Sequence, residues 1–269
     1  MSAVPETHLL LVEDLRISFA GERGRTEAVR GVSFSLRPGE RLGLVGESGS
    51  GKTLSAKAVM GLIGGRTGEA VSGSVRWDGA EWLGQSETAW RRLRGKEMAM
   101  VFQDPMTSLN PLMRVGDQIA EVPRLHEGLS KKAARIRAVE ALAATGIEDA
   151  ETRAREYPHQ FSGGMRQRAV LAMAMICKPR LLIADEPTTA LDVTIQARLL
   201  ARMKDLCVRE QTAMLFISHD LHVVRSVCER VAVMRNGEIV ETGTTAEIFD
   251  HPRHEYTQAL LAATPKIGA

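Results

Sequence analysis

Apolar positions in the first part of the chain alternate or run together in ways that predict β-strands. Residues 9–18 and 29–36 follow such patterns, and residues 41–46 form a short apolar run that ends in glycine. Residues 71–79 are β-like and close on an Asp-Gly pair, which favours a tight hairpin turn. Residues 98–102 predict one more short, buried strand.

The middle of the chain changes to a helical pattern. Between about residues 104 and 178 it is rich in Ala, Arg, Glu and Leu at helical spacing, as in residues 131–147. Three apolar strands follow at 181–185, 213–218 and 230–234, separated by helical segments. Strands and helices alternate at both ends, so we predict a mostly parallel α/β sheet with a helical subdomain inserted into it.

Composition and charge limit the possible function classes. The chain has 269 residues, of which 44% are hydrophobic and 25% charged, as expected for a soluble globular protein. The net charge of +2 is too balanced for a nucleic-acid-binding surface. No apolar run approaches the ~20 residues of a membrane span, and the N-terminus lacks a signal-peptide pattern, so we predict a cytosolic chain.

The cysteines and the C-terminal histidines do not predict a metal site. Cys177, Cys207 and Cys228 show no metal-ligand spacing, and we expect three reduced thiols. His251 and His254 have no further ligand cluster near them and favour an exposed helix.

GESGSGKT, residues 46–53, has the spacing of a phosphate-binding loop between a strand and a helix. Its glycines let backbone N–H groups surround phosphate oxygens. Lys52 is predicted to bridge the β- and γ-phosphates of a nucleotide, and Thr53 to place its hydroxyl on Mg²⁺. The motif alone leaves kinases, GTPases and ATPases open. The predicted nucleotide-binding residues here are Gly46, Glu47, Ser48, Gly49, Ser50, Gly51, Lys52 and Thr53.

Two acidic residues follow the apolar strand 181–185. Asp185 ends the strand and suits the Mg²⁺ shell through water. Glu186 is a candidate general base for the attacking water. A GTPase would also need an N-K-x-D motif to bind guanine, and neither Asn110 nor Asn236 lies in one.

A second candidate anion site, FSGGMRQRAV, begins at Phe161. A serine and two glycines there precede a helical run, whose N-terminus attracts anions. The ordered set of phosphate loop, Gln103, SGG, apolar-Asp-Glu, Leu-Asp and a lone histidine resembles the ABC-type ATPases over residues 9–263.

That resemblance implies a single ABC ATPase domain over residues 1–269. It has a P-loop NTPase core with a mostly parallel sheet and an antiparallel β subdomain, formed by residues 1–103 and 179–269. The helical signature subdomain is expected at residues 104–178.

In this family two cassettes pack head to tail, and the SGG segment of one closes over the ATP of the other. By resemblance, Ser162, Gly163 and Gly164 would bind a partner's ATP. Phe161 and Met165 depart from the commonest Leu-Ser-Gly-Gly-Gln form but keep the serine and the backbone donors. The alternative is an ordinary helix N-cap at Ser162.

The resemblance assigns four more residues, each with a plainer alternative. Gln103 resembles the residue that senses Mg²⁺ and the attacking water, and it could be a polar strand end. Asp192 resembles the residue that steers two cassettes against each other, and it could be a helix N-cap. His219 resembles the histidine that contacts the γ-phosphate and orients Glu186, and a lone histidine could also be structural. Phe19 resembles the aromatic that stacks on adenine, although a strand phenylalanine is usually in the core.

Residues 101–111 and 251–265 resemble the branch that imports peptides and nickel in bacteria. This implies an ATP-hydrolysing subunit, peripheral at the cytoplasmic face of the inner membrane, with ATP and Mg²⁺ as cofactors. Its partners would be two transmembrane permease subunits, a second cassette of the same or a related chain and, indirectly, a solute-binding protein, with no nucleic acid.

The same resemblance places the permease-docking surface at residues 104–125. No cysteine follows Cys228, so we expect no iron–sulfur cluster, which leans toward a dipeptide or nickel importer. The alternatives are a soluble ABC ATPase acting on nucleic acid or ribosomes, an exporter subunit and a small-molecule kinase.

Overall fold

The computed structural model describes residues 8–21, 24–64, 68–102, 108–188 and 192–263. The chain divides into two compact units, one of residues 1–90 with 213–269 and the other of residues 91–212. The predicted helical stretch 104–178 falls within the second unit, and its own boundaries stay a prediction.

The strands and helices are numbered in chain order. The strands are β1 Leu10–Gly21, β2 Gly24–Leu36, β3 Arg41–Val45, β4 Glu69–Trp77, β5 Ala80–Glu81, β6 Met98–Val101, β7 Leu181–Asp185, β8 Ala213–Ser218, β9 Arg230–Arg235 and β10 Glu238–Thr244. The helices are α1 Lys52–Val59, α2 Glu87–Leu93, α3 Val115–Glu127, α4 Lys131–Ala144, α5 Ala150–Arg153, α6 Gly163–Met175, α7 Val193–Glu210, α8 Leu221–Val227, α9 Thr245–Asp250 and α10 Glu255–Ala263, with a 3₁₀ turn at Pro158–Gln160.

The first unit contains an antiparallel sheet in the order β2-β1-β4-β5. The apolar positions that predict β1 face its core, and Leu10, Val12, Leu15 and Ile17 are fully buried. The predicted Asp-Gly turn joins β4 to β5, and both of its residues have positive φ, 52° and 79°. That pair of angles is the type I′ turn, whose twist matches the strands it joins.

The same unit contains parallel pairs that place the phosphate loop. β3 lies between β8 and β9 and runs parallel to both, while β10 pairs antiparallel with β9. The strand β10 is missing from the expectations above. Its signal is Asn236-Gly237, a hairpin dipeptide whose residues have φ of 49° and 87°.

The second unit contains the parallel pair β6 and β7 and the helices α3 to α7. α4 is capped by Ser130, whose side chain accepts the Ala133 N–H at 3.2 Å, and its apolar face buries Ala134, Ala138 and Leu142. The helical pattern predicted to residue 147 ends at Ala144, because Gly146 at φ 83° turns the chain out of the helix. All three cysteines lie among the described residues, where they are buried and form no disulfide.

Glu40 anchors the base of the parallel pairs by a buried carboxylate. Its oxygens accept the Arg37 N–H at 2.8 Å and the Arg230 guanidinium at 2.8 Å, and its side chain is 5% exposed. Burial pushes the pKa of Glu40 upward, but the hydrogen bonds from Arg37 and Arg230 outweigh it and leave the pKa below its ordinary value.

We expect Glu40→Gln to lower the free energy of unfolding by about 1–3 kcal/mol at pH 7, because it leaves Arg230 without its ionic partner. A carboxylate with a lowered folded-state pKa stabilises the fold above its unfolded pKa, near 4.3, and that contribution is lost as the pH falls through the folded value. The gap between wild type and variant should therefore narrow below about pH 5. Urea unfolding at a series of pH values measures this gap, with the exposed Glu238→Gln as control. Equal losses of unfolding free energy in the two variants would contradict the prediction.

Candidate functional site

The loop after β3 leads into a helix start that carries no side-chain cap. β3 ends at Val45 and α1 begins at Lys52. The N-cap residue is Gly51, and the first turn of α1 contains no acidic side chain. The N-terminus of α1 therefore keeps its positive partial charge, and its backbone N–H groups can hold an anion.

Two glycines of this loop are required by close backbone contacts. A Cβ atom at Gly46 would lie 2.0 Å from the carbonyl oxygen of Met234 in β9. At Gly51, where φ is +103°, a Cβ atom would lie 2.8 Å from the carbonyl oxygen of Ala28 in β2. Any side chain at either position would push the loop away from these strands.

Lys52 lies inside the curve of the loop and is 5% exposed. Its ammonium donates to the carbonyl oxygens of Gly46 and Glu47 at 2.8 Å each, and to Ser50 Oγ at 3.3 Å. The positive charge is thereby fixed within the loop, where a nucleotide phosphate would meet both the ammonium and the α1 backbone donors.

Phe19 is not a core residue. Its side chain is partly exposed, in contrast to the fully buried Ile17 on the same strand. In the β1–β2 register Phe19 lies opposite Thr26, two residues before the Ala28 that contacts Gly51. The structure thus leaves an accessible ring on the strand next to the one that touches the phosphate loop.

His219 follows β8 and is exposed. Ser218 lies opposite Val45 in the parallel pair of β8 and β3. His219 follows Ser218 and the phosphate loop follows Val45, so both lie at the same end of these two strands. The next residue, Asp220, caps α8 by accepting the His222 and Val223 N–H groups at 2.9 and 3.3 Å. This cap fixes the backbone directly after His219.

The second unit carries the predicted acidic pair at the end of β7. Asp185 is the last residue of the strand and is 3% exposed. Glu186 has φ of +46°, an unusual left-handed conformation for a residue with a side chain, and is less buried than Asp185. Such backbone strain costs about 1–3 kcal/mol and clusters at functional sites.

The SGG segment starts α6, and its two glycines differ. Ser162 is the N-cap, and its hydroxyl accepts the Met165 N–H at 3.3 Å, so the plain capping prediction is confirmed. A Cβ atom at Gly164 would lie 2.8 Å from Ile195 of α7, whereas one at Gly163 would meet no atom of the described residues within 4 Å. Packing within the chain therefore explains Gly164 but not Gly163.

Asp192 caps α7, and its carboxylate accepts the Ile195 N–H at 2.9 Å. The capping alternative is therefore confirmed here too, and the exposed carboxylate stays available to a partner. Gln103 lies outside the described residues.

Comparison with known proteins identifies the architecture. The family model described as "ABC transporter" matches residues 29–189, which is more than half of the chain. The chain belongs to the ABC transporter family. A second model, "Oligopeptide/dipeptide transporter, C-terminal region", matches residues 240–269.

Similar curated proteins agree with this assignment. The oligopeptide transport ATP-binding protein OppD of Bacillus subtilis is 55% identical over 97% of this chain and 73% of its own length. OppD of Salmonella typhimurium is 48% identical over 98% of this chain and 78% of its own, and the dipeptide transport ATP-binding protein DppD of Bacillus subtilis is 46% identical over 96% and 77%. The predicted family and its peptide-import branch are confirmed.

Solved structures confirm the predicted α/β P-loop NTPase fold. The ATP-binding cassette MJ0796, solved as a dimer bound to ADP and phosphate, matches with a TM-score of 0.78 at 24% identity, over 88% of this chain and 98% of its own. CbiO1 of Clostridium perfringens matches with a TM-score of 0.75 at 25% identity, over 91% and 92%. This ABC chain is an ATPase by family, and ATP is its nucleotide.

Sequence reasoning missed one residue at this site. Tyr256 of α10 contacts the phosphate loop through its hydroxyl, which accepts the Glu47 N–H at 3.1 Å. The available signal is an aromatic residue with a hydroxyl directly after the polar residues Arg253, His254 and Glu255, but the pattern does not say which distant backbone group it meets.

Proposed function

We propose that this chain is the ATP-binding and ATP-hydrolysing subunit of a bacterial complex that imports peptides. The observation that carries the proposal is the phosphate loop, with the Lys52 ammonium held inside it and an uncapped helix start behind it. The peptide cargo is supported by the match at residues 240–269 and by the printed names of the relatives.

The proposed nucleotide-binding role of each residue follows from the chemical group that it carries. The α1 N–H groups and Lys52 bind the β- and γ-phosphates, and the accessible Phe19 ring stacks on the base. Thr53, Asp185 and Gln103 offer the hydroxyl, carboxylate and amide oxygens that Mg²⁺ prefers. When bound, Mg²⁺ neutralises the charge of the phosphates.

In this proposal two further side chains have different roles in the hydrolysis of ATP. Glu186 accepts the proton of the attacking water, and its left-handed backbone turns it out of the buried strand that holds Asp185. His219, at the edge where the phosphate loop begins, holds the γ-phosphate and orients Glu186.

A second cassette completes each ATP site in this proposal. Ser162, Gly163 and Gly164 bind the partner's ATP, and Asp192 steers the two cassettes together. The open space at Gly163 supports this, because no contact among the described residues requires glycine there, whereas a nucleotide bound to a second copy would. One face then serves both partners of a symmetric pair.

We expect Gly163→Val to prevent ATP-dependent pairing of the chain, because the added side chain would fill the space that the partner's phosphate needs. The fold should survive, since a Cβ atom at this position meets no atom of the described residues within 4 Å. Light scattering with and without ATP, in the Glu186→Gln background, measures the pairing. The matched control is Lys131→Val, the same first helical position after a capping serine in α4. Normal pairing by Gly163→Val would contradict the partner-site assignment.

The permease docks, in our proposal, on the predicted surface at residues 104–125, of which the structure describes 108–125. Gln118 is buried and holds its loop by accepting the Asn110 N–H at 2.8 Å and donating to the carbonyl oxygens of Asn110 and Met113 at 2.9 Å. The loop presents Leu112, which is 85% exposed. A large apolar side chain on a well-held loop suits a partner surface.

We expect Leu112→Asp to reduce recovery of the membrane subunits about tenfold, because a carboxylate would enter an apolar contact. ATP affinity should match that of wild type. Co-purification from membranes measures recovery, and Val208→Asp, at another exposed apolar residue, is the control. Equal recovery from the two variants would move the docking surface elsewhere.

The chain acts, we propose, at the cytoplasmic face of the inner membrane, held there by its partners. Among the described residues, no helix has the length and apolarity needed to cross a bilayer. Affinity purification of the tagged chain from native membranes tests the whole proposal. Two multi-span chains and a second cassette are the expected partners, and the accompanying solute-binding protein can then be screened for peptides. Recovery of ribosomal proteins or nucleic acid without membrane chains would overturn the import function.

A further inference from the structure

The C-terminal part of the first unit contacts the back of the phosphate loop at several points. The turn between β9 and β10 donates the Gly237 N–H to the carbonyl oxygen of Ser50 at 3.0 Å. The Met234 carbonyl oxygen lies directly behind Gly46. Tyr256, in α10, accepts the Glu47 N–H at 3.1 Å. The side of the loop opposite the nucleotide is therefore held by residues about two hundred positions later in the chain.

One peptide group links Tyr256 to Lys52. The peptide bond between Gly46 and Glu47 donates its N–H to the Tyr256 hydroxyl, while its carbonyl oxygen accepts the Lys52 ammonium at 2.8 Å. The two bonds fix opposite ends of one planar unit. A rotation of that unit that breaks the tyrosine contact also moves the oxygen that holds the lysine.

Tyr256 itself is well fixed. Its side chain is 6% exposed, and the Arg235 guanidinium lies over the ring, 4.8 Å from its centre. The Glu241 carboxylate of β10 accepts the Arg253 and His254 N–H groups at 2.8 and 3.1 Å, just before α10 begins. Burial raises the pKa of Tyr256 above its ordinary value, so the hydroxyl stays neutral near pH 7.

We propose that Tyr256 is a positioning residue for nucleotide binding, which orients the Gly46–Glu47 peptide so that Lys52 is held where it meets the phosphates. This rests on the nucleotide-binding role proposed above. It gives the C-terminal segment, matched by the oligopeptide/dipeptide transporter model, a task at the ATP site. The segment braces the phosphate loop from behind without touching the nucleotide.

The test is Tyr256→Phe, which removes only the hydroxyl. We expect the dissociation constant of a fluorescent ATP analogue to rise about 3- to 10-fold, the usual scale of one lost hydrogen bond. We also expect faster hydrogen exchange in residues 46–52 of the nucleotide-free chain. The matched control is Thr245→Val, which removes a hydroxyl that donates to the Cys228 carbonyl oxygen at 2.7 Å in the same segment.

A purely structural tyrosine predicts a different result. It would speed exchange in residues 251–263, lower the melting temperature as Thr245→Val does, and leave ATP affinity unchanged; that outcome overturns the proposal. The exchange measurement needs no nucleotide, so it reports on the tyrosine contact independently of ATP binding. A wild-type chain that fails to bind the analogue would instead overturn the proposed function.

Discussion

Lys52→Ala is expected to weaken ATP binding about 100-fold. The Lys52 ammonium is the fixed positive charge inside the loop, 2.8 Å from the carbonyl oxygens of Gly46 and Glu47. Charge-assisted hydrogen bonds contribute about 1.5–3 kcal/mol each, and the upper value corresponds to about a hundredfold in affinity. Equilibrium titration with a fluorescent ATP analogue measures the loss.

The control for this prediction is Lys57→Ala, which removes the same charge from the same helix one and a half turns further along. Its ATP affinity should stay within about twofold of wild type, because the helix-start field acts only over the first turn. Thermal melts without nucleotide show whether the Lys52 variant is folded. A folded Lys52→Ala chain with wild-type affinity would remove the phosphate loop from the proposed site.

Glu186→Gln is expected to bind ATP with near wild-type affinity and to hydrolyse it about 10²- to 10⁴-fold more slowly. The substitution keeps the size of the side chain and removes its ability to take a proton, and a positioned general base contributes about that factor. Steady-state phosphate release, together with ATP titration, separates the loss in turnover from the loss in binding.

The control is Glu148→Gln, an exposed carboxylate in the loop between α4 and α5. It should hydrolyse ATP at the wild-type rate. Hydrolysis by Glu186→Gln within tenfold of wild type would mean that another group takes the proton, and would leave the left-handed backbone at Glu186 without a catalytic explanation.

Both large predictions rest on motifs that can be located in the sequence. GESGSGKT and the apolar strand before Asp185 are local patterns, in which neighbouring residues carry the whole signal. The strand-forming runs at 41–46, 181–185, 213–218 and 230–234 were confirmed for the same reason, since a buried strand is apolar throughout its length. The Asp-Gly turn needs only two residues with positive φ.

The sequence allowed two roles for several side chains, and their surroundings in the structure distinguish between these roles for some of them. Phe19 has the pattern of a core residue, but its partly exposed position shows that it is not one. The sequence does not distinguish the roles of Gly163 and Gly164. The short distance from a Cβ atom at Gly164 to Ile195 shows that packing requires glycine at position 164. Ser162 and Asp192 are helix caps, a role that leaves their interface assignments as predictions.

The sequence by itself determined the fold class and the family and located the phosphate loop, the acidic pair and the Asp-Gly turn, because each of these patterns depends on residues close together in the chain. Only the tertiary structure decided which distant groups meet. The Tyr256 hydroxyl accepts the N–H of Glu47, which lies 209 positions earlier in the chain. The Met234 carbonyl oxygen leaves room only for glycine at position 46, almost as far away in the sequence. Such contacts depend on how strands pair and helices pack, and no local pattern encodes a hydrogen bond to a particular backbone group elsewhere in the chain.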